Sequence, residues 1–142
     1  MCDRLFMKLE HVLINLEKLN SAYSVGEPAS VEQIAEAEQR LNIQIPAQIR
    51  MFYQHFNGLS VENPPFQILS LSQFNFISPN LLHFSTFDSH HKVCFDTSRL
   101  NEAEQWLIVF ADNKYEITFT MASFWSNKIW KWLGSRQPIW LD

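Results

Sequence analysis

The sequence predicts an α+β domain in which N-terminal helices come first, a central and mostly antiparallel sheet follows, and one C-terminal helix closes the chain. Three observations support this order. Apolar residues recur at helical spacing up to about residue 56, they fall into short runs from 66 to 120, and the helical spacing returns after 123. Helices and strands that are segregated along a chain are typical of the α+β class.

The first predicted element is a helix at about residues 3–21, because its apolar side chains share one helix face and its charged side chains fall off that face. The apolar positions are Leu5, Leu9, Val12, Leu16 and Leu19. A loop at 24–29 follows. Ser30 and Gln33 then have the spacing of a capping box, which predicts a second helix that runs to about Leu41.

A third helix is predicted to begin at Pro46, since a proline at the first helical position leaves no N–H group unpaired. Asn57-Gly58 predicts its end, because glycine adopts the left-handed backbone that helix ends commonly need. The closing helix is predicted to have Ser123 as its cap and to end at Gly134.

Five strands are predicted between residues 66 and 120. They are Phe66–Leu69, Leu81–Phe87, Lys92–Asp96, Trp106–Ala111 and Tyr115–Thr120. The last shows the clearest pattern, because Tyr115, Ile117 and Phe119 alternate with polar residues and so predict one buried face. Residues 112–114 join the last two strands as a hairpin.

Length and composition exclude several classes of protein. A chain of 142 residues buries roughly 68–70% of its unfolded surface, so a single domain over residues 1–142 needs neither disulfides nor a structural metal. Two cysteines and no signal peptide predict the reducing cytoplasm. A net charge of −4 argues against nonspecific binding to nucleic acids. The longest apolar run has six residues, whereas a membrane helix needs about 20.

Charge is distributed unevenly along the chain. Residues 51–87 contain one charged side chain, Glu62, where the average composition predicts about seven, and residues 63–87 contain none. A buried hairpin with uncharged loops explains this stretch, and so does a partner-binding surface, because interface cores are poor in charge. Residues 88–116 carry a net charge of −3 and residues 117–142 carry +2. The acidic excess therefore lies mainly in the predicted sheet.

Two groups of residues around the predicted strand 92–96 are candidates for chemistry. Cys94 with His90 or His91 has the residue types of a nucleophile and its base, but the position of Cys94 inside a strand favours a packed thiol. Asp88, His90 and His91 are metal-binding residue types, but the four-ligand spacing of structural zinc is absent, which favours a polar turn.

The remaining candidates for catalysis are weaker. Glu102 with Glu104, or Asp112 with Glu116, supplies paired carboxylates for acid–base chemistry, but their places beside loops favour solvated acids. Three isolated glycines exclude a glycine-rich phosphate loop. We therefore expect no catalytic residue and no cofactor.

One stretch of residues resembles a known family. Its residues, in order, are Glu27-Pro28-Ala29-Ser30, Ile34, Glu38, Leu41, Ile45-Pro46, Ile49, Phe52-Tyr53 and Asn57-Gly58. They are similar to the N-terminal signature of the SUKH superfamily, in its Smi/Knr branch. Residues 66–71 resemble the first strand of that family, and Trp106 and Ser123-Phe124 resemble later positions. The resemblance spans about residues 27–133.

The resemblance implies an α+β domain whose mixed sheet is flanked by helices, without enzymatic activity. Bacterial members of the superfamily are typically immunity proteins that bind a toxin, often a nuclease, and fungal members regulate cell-wall assembly. The family has no fixed catalytic set, so only Ile45-Pro46 and Asn57-Gly58 carry over, as fold signatures. The scarcity of glycine in the strand region departs from the family pattern.

Together these observations predict a cytoplasmic, non-enzymatic immunity protein that neutralises a polymorphic or contact-dependent toxin by occluding it. The expected partner is the cognate protein toxin, and a basic nuclease suits the acidic excess. We expect no contact with nucleic acid or membrane, and a monomer or weak dimer. The predicted partner-binding residues are Asp88, Asp96, Asn101, Glu102, Glu104, Asp112 and Glu116.

Three alternatives stay open at this stage. The uncharged stretch 63–87 is a second candidate for the binding surface. A regulatory protein-interaction scaffold, as in cell-wall assembly regulators, is a second candidate function. A metal-dependent hydrolase at Asp88, His90 and His91 is a third.

Overall fold

The secondary structure follows the predicted order of helices, sheet and closing helix. The computed structural model describes residues 17–18 and 22–138. Within these residues the helices are α1 (Val31–Leu41), α2 (Ala47–His55) and α3, which runs through Met121–Ser123, a π-helical turn Phe124–Lys128, and Ile129–Ser135. The strands are β1 (Tyr23–Val25), β2 (Leu59–Val61), β3 (Phe66–Ile68), β4 (Asn75–Ser78), β5 (Leu81–Phe87), β6 (His91–Asp96), β7 (Leu107–Phe110) and β8 (Glu116–Thr118). A 3₁₀ helix, Leu71–Gln73, precedes β4.

All five predicted strands are present, and their boundaries differ from the predictions by at most two residues. The sequence missed β1, β2 and β4, because runs of three or four residues are too short to show alternation. The predicted loop at 24–29 is wrong at its first two residues, since Tyr23–Val25 pairs with β2. Of the predicted first helix, Glu17 and Lys18 are helical, and its other residues, like Cys2, lie outside the described part of the chain.

The eight described strands form one antiparallel sheet in the order β1-β2-β3-β5-β6-β7-β8. Strand β4 also pairs with β5, on the edge that β3 occupies: β3 pairs with Ser85–Phe87, and β4 with Leu81–His83. The mixed sheet that the resemblance implies is therefore replaced by a wholly antiparallel one in this part of the chain. The expectation of a mostly antiparallel sheet is confirmed.

The main core lies between the helices and one face of the sheet. Phe84 of β5 stacks on Phe95 of β6, with ring centroids 3.8 Å apart, and also meets Phe124 of α3 at 5.3 Å. Trp125 of α3 contacts Phe52 of α2 at 5.1 Å. Aromatic pairs of this kind stabilise a protein by about 0.5–1.5 kcal/mol beyond the area they bury. The chain of rings therefore ties both helices to the centre of the sheet.

The predicted ends of α1 are correct, but α2 ends at His55, before Asn57-Gly58, and its C-cap Phe56 is extended, so the predicted left-handed glycine cap is wrong. Ser30 caps α1, with its Oγ accepting from the Gln33 N–H at 3.1 Å and the Gln33 side chain accepting from the Ser30 N–H at 2.8 Å. Helix α2 begins at Ala47, one residue later than predicted, and Pro46 is its N-cap. Ser123 is not the cap of α3, because its own N–H donates to Thr120 Oγ1 at 3.0 Å.

Two further predictions near the end of the chain are corrected. Helix α3 ends at Ser135 and not at Gly134, and Arg136 takes the left-handed conformation with φ of 55°. The predicted buried face of the last strand holds for Ile117 but not for Phe119, which is 58% exposed because β8 ends at Thr118.

Gly26 lies in close backbone contact with Asn57 and Gly58, where β1, α2 and β2 come together. The Gly26 N–H donates to the Gly58 carbonyl at 2.9 Å, and the Asn57 N–H donates to the Glu27 carbonyl at 2.9 Å. A Cβ atom on Gly26 would lie 2.3 Å from the Asn57 carbonyl oxygen, and Gly58 has φ of 103°. The predicted role of Asn57-Gly58 as a fold signature therefore has a steric cause, because side chains at positions 26 and 58 are both disfavoured.

We predict that Gly26→Ala lowers the free energy of unfolding by about 1–3 kcal/mol, as overpacking of a closed contact does. The measurement is urea unfolding followed by tryptophan fluorescence. Gly134→Ala is the matched control: a Cβ there meets no atom within 4 Å, so the same change inside α3 should raise stability by about 0.5–1 kcal/mol. Equal midpoints for the two variants would contradict the steric account.

Candidate functional site

Most of the predicted partner-binding residues lie at two opposite ends of the sheet. Asp88 and Asp112 lie at the β5–β6 and β7–β8 turns, which form one end (the turn end, residues 87–91 and 111–116), and Glu116 begins β8 directly after the second turn. Asp96, at the other end of β6, leads into the loop 97–106, which carries Asn101, Glu102 and Glu104. At about 3.4 Å per residue, β6 separates the two groups by about 17 Å. Glu116 lies between the two groups, because it pairs with Val109, which itself pairs with Cys94 in the middle of β6.

Asn101 organises the loop 97–106. Its Oδ1 accepts from the N–H groups of Ala103 at 2.8 Å and Gln105 at 3.3 Å, and its Nδ2 donates to the carbonyl of Phe119 at 2.8 Å. The side chain is thereby occupied with holding the loop against the end of β8. Glu102 is exposed beside it. Asn101 therefore positions this loop and its acidic side chains.

The loop 97–106 borders a groove of about 750 Å³. The other walls are the α1–α2 connection at 41–47 and the hairpin at 76–80, and we call this region the groove end. Its apolar lining is Leu41, Ile43, Ile45, Pro46, Ala47, Phe76, Pro79, Leu100 and Trp106. Its charged lining is Arg50, Arg99 and Glu104. Leu100 is 54% exposed, so the groove combines apolar side chains with polar groups and with charges of both signs.

The uncharged stretch 63–87 divides between core and groove end. Strand β5 is almost wholly buried and β3 contributes Phe66 and Ile68 to the core, which confirms the interpretation as a buried hairpin for most of the stretch. The remainder, β4 and its turn, is mostly exposed, and Ile77 is 38% exposed there. This remainder meets the acidic loop across the groove, so parts of both predicted surfaces become neighbours.

Sequence reasoning missed the two arginines of the groove. Arg50 lies on α2 and donates from Nη1 to the Ile45 carbonyl at 2.9 Å, which holds its guanidinium beside the α1–α2 connection. Arg99 comes from the acidic segment and is exposed. The two positions are far apart in sequence, and no local pattern brings them together. The one signal of this groove in the sequence is Leu100, an apolar residue in a charged loop.

The turn end collects Asp88, His90 and His91. One ligand atom of each lies within 4.8 Å of the others, and the two imidazole rings are 4.1 Å apart. Burial lowers the pKa of His91, as does the neighbouring His90, while Asp88 and Asp112 oppose that shift. Asp88 and Ser89 both have positive φ, 53° and 67°, as in a type I′ turn. The predicted polar turn is confirmed.

Residues 28–126 match the sequence model of the SMI1 / KNR4 family (SUKH-1). The match covers more than two thirds of the chain and includes both ends of the sheet. The chain belongs to the SMI1 / KNR4 family (SUKH-1). The predicted resemblance is therefore confirmed. No curated protein sequence matches the chain.

In this member of the SMI1 / KNR4 family, the signature residues shape one wall of the groove. Glu38 accepts from the Ile45 N–H at 2.7 Å, and Ile45 is 1% exposed. Pro46 is then the N-cap of α2. A partly buried, charge-assisted hydrogen bond therefore ties the α1–α2 connection, which forms this wall of the groove, to α1. None of the described helices has the length and apolar composition to cross a bilayer.

Cys94 is a packed thiol, as its strand position predicts. It is fully buried, lies with Leu81 and Val109 in a small cluster apart from the main core, and pairs with His83 and Val109 across the sheet. Burial raises the pKa of its thiol to about 12, against a smaller opposing effect of Lys92. Burial and the raised pKa both disfavour the thiolate, so the structure gives no support to the alternative of a nucleophile activated by His90 or His91.

His83 is the one buried histidine among the described residues. Its Nε2 lies 3.0 Å from the Ser85 carbonyl and 2.9 Å from Thr86 Oγ1. Because a carbonyl oxygen only accepts, Nε2 carries a proton and donates to it. Burial lowers the pKa of His83 from 6.5, and Lys92 adds to this effect. The imidazole is therefore neutral in the folded protein at neutral pH.

We predict that the free energy of unfolding falls as the pH drops below about 6.5. His83 then binds a proton in the unfolded chain but stays neutral in the folded protein, because its pKa is lowered there. Above that pH both states are neutral at this residue and the effect vanishes. His83→Gln keeps a donor for the Ser85 carbonyl and should make the fall shallower. The measurement is urea unfolding at about pH 7.5 and about pH 5.5. His55→Gln, at an exposed site on α2, is the control, and an equal change in both variants would refute the assignment.

Proposed function

We propose that this protein is a non-enzymatic immunity protein that neutralises a cognate protein toxin by occluding it, and that the groove end is its binding surface. The single observation that carries the proposal is the meeting of a groove with both apolar and polar lining, a mostly exposed hairpin without charge and a loop with acidic side chains at one end of the sheet. Interfaces commonly have this composition, with an apolar centre and a charged rim. Membership of the SMI1 / KNR4 family is compatible with the role.

The groove end supplies both parts that a specific interface needs. Leu100 and the groove floor offer apolar area that a partner side chain can cover, and such central contacts commonly carry most of the affinity. Glu102 and Glu104 are exposed near them, where charges mainly accelerate encounter with a basic partner. The guanidinium groups of Arg50 and Arg99 also line the groove and would pair with acidic or carbonyl groups on the partner. A basic toxin surface with one apolar anchor and at least one acidic group fits this pattern.

The proposal predicts that the protein restores growth of cells that express the toxin encoded beside its gene. Co-expression with the product of each neighbouring reading frame, scored for rescue, is the measurement. If a neighbouring product is toxic and the protein neither binds it nor restores growth, the immunity role is wrong. If no neighbouring product is toxic, a regulatory protein-interaction scaffold becomes the better assignment.

The location of the surface is tested with two matched double variants. Glu102→Lys with Glu104→Lys reverses two acids at the groove end, and Asp112→Lys with Glu116→Lys reverses two acids at the turn end. All four side chains are exposed, and both variants change the net charge equally. We expect association with the toxin to slow by about tenfold for the groove-end variant and much less for the other, measured by surface plasmon resonance at low salt. The opposite order would place the interface at the turn end.

The apolar contact is tested separately. Leu100→Asp places a charge at the groove rim and should weaken toxin binding by at least about tenfold. Phe119→Asp is the control, because Phe119 is as exposed as Leu100 but does not line the groove. Equal losses in both variants would show that the contact extends beyond the groove.

A further inference from the structure

The turn between β5 and β6 places three metal-binding side chains together. Asp88, His90 and His91 offer a carboxylate and two imidazoles, and one ligand atom of each lies within 4.8 Å of the other two. Ligands bound to one transition-metal ion at about 2.0–2.1 Å lie roughly 3–3.5 Å from each other. The three atoms are therefore within about 1.5 Å of that geometry, a distance that side-chain rotation closes.

The backbone already holds the three residues in place. The Asp88 N–H donates to the Pro65 carbonyl at 2.9 Å, and the His90 N–H donates to the Phe87 carbonyl at 3.3 Å. His91 begins β6 and pairs with Phe87, so its Cα is fixed by the sheet. Because the positions of all three residues are set by the hairpin, binding an ion orders only their side chains.

A second carboxylate lies close to this cluster. Asp112, in the β7–β8 turn, follows Ala111, whose N–H donates at 3.0 Å to the carbonyl of Lys92, the residue after His91. The ring of His91 also lies 5.9 Å from that of Phe110, on the strand that leads to Asp112. Two neighbouring hairpins therefore present two imidazoles and two carboxylates at one end of the sheet.

We propose that Asp88, His90 and His91 form a binding site for a divalent transition-metal ion of the zinc or nickel class, with Asp112 as the nearby carboxylate. Imidazole ligands select these ions over magnesium and calcium, which prefer oxygen ligands. The site is at the turn end, away from the groove. It supplies no catalytic step: the ion would clamp the β5–β6 and β7–β8 turns together. The sequence alone predicts no metal, so the proposal depends on the geometry of the turn.

The test is isothermal titration calorimetry of the full-length, chelator-treated protein with zinc chloride, nickel chloride and magnesium chloride. A Cys2→Ser background is used because thiolates bind zinc. We expect one zinc or nickel ion per chain, no measurable magnesium binding, and a higher unfolding temperature with the bound ion. Absence of zinc and nickel binding, or equal binding of magnesium, would overturn the proposal.

Three variants test the ligands. His90→Ala removes an exposed imidazole, and Asp88→Asn removes the charge while asparagine keeps the left-handed backbone accessible. Each should weaken zinc binding at least tenfold, with the unfolding temperature without metal nearly unchanged. His55→Ala, an exposed histidine on α2, is the control and should bind zinc as the parent protein does. Unchanged zinc affinity in His90→Ala and Asp88→Asn would place any bound ion elsewhere. Neither result depends on the immunity role.

Discussion

The close approach of Gly26 to the Asn57 carbonyl is the constraint on which the first half of the sheet depends. Only a residue without a side chain allows the Gly26 N–H to reach the Gly58 carbonyl at 2.9 Å, and this bond fixes β1 beside β2. The Asn57 side chain accepts from the Leu71 N–H at 2.9 Å, so the same junction places the 3₁₀ helix. The Arg40 guanidinium donates to the Leu71 carbonyl at 2.8 Å and attaches α1. The Asn-Gly signature is thus a meeting point of three elements.

The groove end and the turn end lie at the two opposite ends of strand β5. Because β3 and β4 share one edge of β5, the sheet continues through β3, β2 and β1 beside the end of β5 and stops at β4 beside its start. The β4 hairpin extends toward the loop 97–106 and closes the groove, while the opposite end of β5 carries the histidine turn. Two regions with different chemistry therefore follow from one strand that accepts two short partners.

The sequence predicts what is local and misses what is set by distant pairing. Ser30 and Gln33 satisfy each other within one turn, so their capping box is visible in the sequence. The cap of α3 is Thr120 and not Ser123, because where β8 ends decides which hydroxyl precedes the helix. Strand β1 is extended only because β2 pairs with it. The groove could not be predicted either, since only the fold places Arg50 and Arg99 along the same groove.

The fold also divides the charges of the acidic segment 88–116 between the two ends of the sheet. Arg99 and Arg50 accompany Asp96, Glu102 and Glu104 at the groove end, which leaves a net charge of −1 there, and the turn end with Lys92 and Lys114 also carries −1. The ends are about 17 Å apart, about twice the Debye length of ~8 Å at physiological salt, so exposed charges at one end hardly act at the other. A partner therefore meets a weak field at either end. Under the proposed function, affinity at the groove would then come from apolar contact around Leu100, with the position of each charge selecting the partner.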